Sequence, residues 1–82
     1  MENIKDKVER IKEKADLFLK NQIPIFIENI YGDYFFCEII KINSDYLIVK
    51  NFAGKRKYET DKIYFLDIIK LDEYKEEEKE DG

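Results

Sequence analysis

The chain has no histidine and no tryptophan, one cysteine, one proline and three dispersed glycines, and Ser44 and Thr60 are its only serine and threonine. Without imidazole, a hydroxyl nucleophile has no partner to activate it, and Cys37 lacks its usual base as well. The lone cysteine excludes an intrachain disulfide and a cysteine metal cluster, and it fits a reducing, cytoplasmic setting. Scattered glycines build no phosphate-cradling loop. No apolar run approaches the ~20 residues of a spanning helix, and the N-terminus mixes Lys and Glu among its apolar residues, unlike a signal peptide. The expectation is a protein that is not an enzyme, with no cofactor, metal site or membrane partner.

What is abundant is charge. Charged residues make up 41% of the 82, against ~25% in a typical domain. The formal net charge is −4, but residues 72–82 hold seven acids and two lysines, leaving twelve acids and thirteen bases in residues 1–71, a net of +1. A near-neutral body can display a local basic patch, and a phosphate responds to the local field rather than to the sum. A chain this short buries only about 60% of its unfolded surface, so one small domain is expected, with help from further copies of itself.

Ile4, Val8, Ile11, Ala15 and Phe18 recur at alternating spacings of four and three, which predicts a helix over residues 4–20, capped by Asn3 with Asp6 and stopped by Asn21 and Pro24. Beyond Pro24 the residues turn to Ile, Val, Phe and Tyr with close punctuation, which predicts strands. These are IPIFIEN, YFFCEIIKI, YLIVKNF, GKRKYET and IYFLDIIKL, with turns at Tyr31-Gly32-Asp33, Asn43-Ser44-Asp45 and Ala53-Gly54. Five short strands leave too many edges for a flat sheet, so a mainly β fold is expected: an N-terminal helix and a strongly bent sheet closed into a small barrel. Both faces of the second strand are apolar, one carrying Phe35, Cys37 and Ile39 and the other Tyr34, Phe36 and Ile40, so both are expected to be covered. The domain is expected over residues 1–74, with 75–82 an acidic disordered tail.

The helix, the strand order and the segment IFIENIYGDYFFCEIIKINSDYLIV resemble the Sm-like (Sm/LSm) family of small RNA-associated barrels over residues 4–71. The resemblance rests on Gly32, the aromatic Phe35, a small residue at Cys37 where the family usually carries Gly, Ile39, and the turn with Asn43 and Asp45. Where the family has an Arg-Gly pair at the start of its last strand, this chain has Phe65 and Leu66. The resemblance implies a barrel that assembles by pairing its fourth strand with the fifth of the next copy. It also implies RNA as a partner, with Asn43 and Asp45 as the nearest matches to the turn residues that hold a base; Asn43 and Tyr46 are the candidate base contacts read here.

The segment KNFAGKRKYE gathers Lys50, Phe52, Lys55, Arg56 and Lys57 within eight residues. Two readings stand. As a hairpin, its lysines are solvated and guard a sheet edge; as a binding turn, the cations grip phosphates while Phe52 stacks a base. The nucleic-acid-binding set is therefore Asn43, Tyr46, Lys50, Phe52, Lys55, Arg56 and Lys57. The alternative is a protein-interaction barrel that has lost nucleotide recognition.

Overall fold

Asn3 starts the first helix because its side-chain oxygen accepts the Asp6 backbone N–H at 2.8 Å, satisfying one of the donors that every helix start leaves open. In the computed structural model, which describes residues 3–75, α1 spans Ile4–Lys20. It ends in a Schellman turn: Ile23 N–H reaches Phe18 O at 2.9 Å, Gln22 N–H reaches Leu19 O at 3.2 Å, and Gln22 takes φ +52°. That position usually belongs to Gly. Ile11, Ala15 and Phe18 of the predicted stripe are buried and Val8 packs against them. Ile4, 68% exposed, runs past the sheet.

The strands are β1 (Ile25–Asn29), β2 (Tyr34–Ile42), β3 (Tyr46–Asn51), β4 (Thr60–Tyr64) and β5 (Ile68–Glu73). They form one antiparallel sheet in the order β4-β3-β2-β1-β5. The inward face is supplied by alternating residues: Ile25 and Ile27, Cys37 and Ile39, Leu47 and Val49. Ile63, Phe65, Ile68 and Leu71 complete the core under α1. Fully burying an Ile or Leu contributes about 1.5–3 kcal/mol, so this layer carries most of the fold's stability.

Two bulges keep that face inward while bending the sheet. Register shifts after Ile39 in β2 and opposite the Glu28–Asn29 step in β5, so Ile40 and Ile69 are extra residues, and both are exposed. Bulges bend and twist the strand that carries them. The bend is large, because the outermost strands β4 and β5 are joined by the three-residue 3-10 turn Phe65–Asp67 alone, and four residue steps span at most ~14 Å. Two backbone bonds fix this turn: Phe65 N–H to Asp45 O at 3.0 Å and Ile30 N–H to Asp67 O at 2.8 Å.

The sheet is nevertheless not closed into a barrel. Among the described residues no ladder joins β4 to β5, and each keeps one unpaired edge. The fourth and fifth strands also differ from those expected. GKRKYET is a turn up to Glu59, with only Thr60 in β4; it is held by Lys57 N–H to Gly54 O at 3.2 Å and Glu59 N–H to Arg56 O at 2.9 Å, with Tyr58 at φ +73°, which no strand residue adopts. The run IYFLDIIKL divides into the end of β4, the 3-10 turn and most of β5. The outer face of β2 is not fully covered either, since Tyr34 and Ile40 are exposed. No helix among the described residues is long and apolar enough to cross a membrane. Of the expected acidic tail, residues 76–82 lie outside those described, and Lys75 is exposed.

Candidate nucleic-acid interface

The expected site residues fall into two groups at opposite ends of β3. Asn43 and Tyr46 flank the β2–β3 turn, where Asn43 N–H bonds Tyr46 O at 2.8 Å. Lys50, Phe52, Lys55, Arg56 and Lys57 belong to the far end of β3 and the turn after it. Tyr46 and Lys50, their nearest members, stand four steps apart on β3, ~14 Å at the strand rise, so the two groups form separate patches.

At the first end, Lys62 lies between two rings, its Nζ 4.5 Å from the Tyr46 centroid and 5.8 Å from that of Tyr64, with the rings edge to face at 5.6 Å. Beside them the β2–β3 turn, the 3-10 turn and the first half of α1 enclose a groove of about 530 Å³ lined by Ile4, Val8, Asp45, Tyr64, Phe65 and Leu66 among others. The 3-10 turn therefore does sit against the Asn43–Asp45 turn. Its Phe65, though, is a core ring and Leu66 is an exposed aliphatic, and neither side chain has a donor for a base.

At the second end, the charges are already engaged. Arg56 donates to Asp61 through Nε to Oδ2 at 3.0 Å and Nη2 to Oδ1 at 2.7 Å, with Glu59 3.5 Å away. The hydrogen bonds to Asp61, then its charge and that of Glu59, hold the guanidinium above its already high pKa. Asp61 Oδ2 also accepts the Asn51 amide at 2.6 Å, and Asn51, buried, donates again to Glu59 O at 3.1 Å. Asn51, Arg56 and Asp61 thus staple the turn. Arg56 is a brace, while Lys50, Lys55 and Lys57 are exposed, Lys57 lying 5.1 Å over the Tyr58 ring.

Sequence reading missed an aromatic row on the outer face. Phe26 stacks on Tyr34 at 5.4 Å and contacts Phe36 at 5.7 Å; Tyr74 then meets Phe36 at 5.5 Å and Phe52 at 5.3 Å, both edge to face. Lys70 Nζ lies 5.8 Å from the Phe26 centroid. The available signal was alternation: Phe26 sits between two inward isoleucines and Phe36 beside Cys37, so both must face out. Phe52 accordingly belongs to this row, half-buried, rather than to an exposed turn.

Cys37 is fully buried, and burial first, then the charges of Asp61 and Glu38, push its thiol up to about 12. It is a core residue at neutral pH, without thiolate character. Among the described residues no group of three or more His, Cys, Asp or Glu converges as a metal site would require. Comparison with family models, with curated proteins and with solved structures finds no match in any of the three.

Proposed function

We propose that this chain is a non-enzymatic, Sm-like RNA-binding protein that works as an oligomeric scaffold, its copies joined by pairing β4 of one with β5 of the next. The observation that carries the reading is the pair of unpaired strand edges held near each other by a three-residue turn. Each edge offers free backbone donors and acceptors, which a folded protein covers, blunts or uses. Exposed Tyr64, Leu66 and Ile69 border those edges, giving an assembly apolar area as well as ladder bonds. Residues 50–61 hold four cations and two acids, a net of +2, a local field that favours phosphate. Repetition around an assembly multiplies a weak contact through avidity.

The test is particle mass in solution together with titration of a labelled U-rich single strand at two salt concentrations. A particle of several copies and salt-weakened binding are expected. A monomer removes the scaffold, and no binding at low salt, or binding unchanged when Lys55, Arg56 and Lys57 are made Glu, removes the RNA role.

A second reading is a protein-interaction domain that keeps the architecture without nucleotide recognition. It is favoured by the clamping of Arg56 on Asp61 and by Phe65 and Leu66 at the 3-10 turn. Partners retained from nuclease-treated extract would support it.

A further inference from the structure

The cleft between the start of β2 and the β3–β4 turn encloses about 530 Å³, within the range of small-ligand sites. One wall is aromatic, from Tyr34 and Phe36 with the exposed carboxylate of Asp33 at its start; the other is the turn Ala53-Gly54-Lys55, and Asn51, Arg56 and Asp61 add a polar lining. Tyr34 is stacked on Phe26 with an interplanar angle of 23°, yet stays 57% exposed. A third flat ring laid on Tyr34 would extend an existing stack. Across from it, Gly54 takes φ +87° and a Cβ there would meet nothing within 4 Å, so the turn leaves the wall open. Arg56 and Asp61 satisfy each other, which leaves Lys55 as the exposed cation on this wall, next to Lys57 on the same turn.

We propose that this cleft is a single-nucleotide site for single-stranded RNA, with Tyr34 as the stacking platform and Lys55 as the phosphate contact. The inference rests on the RNA-binding reading above and names the surface through which it acts. A flat aromatic face opposite a cation, in a turn whose local charge is positive, matches a base and its phosphate better than an aliphatic peptide. Stacking tolerates any base, so the site fixes the strand's path without selecting its sequence.

The experiment uses the full chain and a twelve-residue oligouridylate carrying 4-thiouridine. Ultraviolet crosslinks are expected on the tryptic peptide of residues 21–41, which contains Tyr34. Tyr34→Ala weakens binding on the order of tenfold, as loss of one base–aromatic stack does, while Tyr34→Phe retains it. Lys55→Ala lowers the slope of log affinity against log salt by about 0.7, the value for one phosphate of a single strand. Tyr58→Ala, outside the cleft, leaves affinity unchanged. RNA binding that persists with crosslinks elsewhere and with Tyr34→Ala at full affinity overturns this site and spares the RNA reading. Absence of binding to the parent protein at low salt overturns both. A protein retained after nuclease treatment and lost with Tyr34→Ala assigns the cleft to a protein partner instead, and overturns the proposal.

Discussion

Arg56 closes the β3–β4 turn on Asp61 through a two-pronged contact, Nε to Oδ2 at 3.0 Å and Nη2 to Oδ1 at 2.7 Å. Because Asp61 also holds the buried Asn51 amide at 2.6 Å, the carboxylate anchors two partners and the guanidinium one main one. Asp61→Ala is therefore expected to lower the melting temperature more than Arg56→Ala, checked by thermal unfolding of both. Asp61→Asn also releases Arg56 and raises the net charge of residues 50–61 from +2 to +3. If the turn binds RNA, that variant binds tighter at low salt with a steeper salt dependence. Unchanged affinity argues against phosphate contact there.

Cys37 provides a pH prediction. Its ordinary value of 9.0 is pushed up to about 12 in the fold, so between those values the unfolded chain has lost the thiol proton that the native chain keeps. The native state then binds more protons, and stability falls as pH rises through that window, by about 1.4 kcal/mol per unit where the difference is one full proton. Below pH 9 this contribution is fully present. Denaturant melts between pH 8 and 11 should show the excess decline relative to Cys37→Ala, which lacks the thiol. Native protein should likewise resist thiol alkylation until it is unfolded.

Among the described residues two other than glycine occupy the left-handed region, Gln22 at φ +52° and Tyr58 at φ +73°. Gln22 closes the end of α1, where glycine fits without a Cβ penalty, so Gln22→Gly is expected to raise stability by about 0.5–1 kcal/mol. Tyr58, 70% exposed, has only Lys57 over its ring. Tyr58→Asn is expected to stabilise by up to about 1 kcal/mol, because Asn tolerates this backbone and the exposed cation–π contact is weak. Chemical denaturation of the two variants measures both.

Removing the cap that begins α1 has a simple expectation. Asn3→Ala deletes the acceptor for Asp6 N–H and costs about 1 kcal/mol, whereas Asn3→Ser or Asn3→Asp restores most of it. Helix content by circular dichroism during thermal melts distinguishes the three.

Local chemistry made much of the fold readable. Asn3, the apolar stripe and Asn21 placed α1 at its observed limits, since caps and periodicity act within a few residues. The first three strands followed from alternation and from Gly32 at φ +84°. β4 was misplaced because its turn is closed by Arg56 and Asp61, a pairing that no local pattern announces. The 3-10 turn hid in a mostly apolar run, although Asp67 interrupts it and inward residues at 65, 68 and 71 step by three where a strand would step by two. Of the expected site, the basic turn exists, but Arg56 is committed to Asp61 and Asn43 lies at the other end of β3. The Tyr34 cleft was hidden because one wall is the start of β2 and the other is the β3–β4 turn, segments that only the fold brings together.

The strand order also governs how the chain can reach its final form. Pairings β1–β2, β2–β3 and β3–β4 each join neighbours along the chain, but β1–β5 matches Ile25 to Glu73, across every other strand of the sheet. Long-range pairing is slow, because the intervening chain must be ordered before the contact repays it. During vectorial synthesis β1 must wait with one flank bare until β5 has left the ribosome. Completion of the sheet therefore waits for β5, and a chain truncated before residue 68 should be a substrate for chaperones and proteases rather than a shortened working domain.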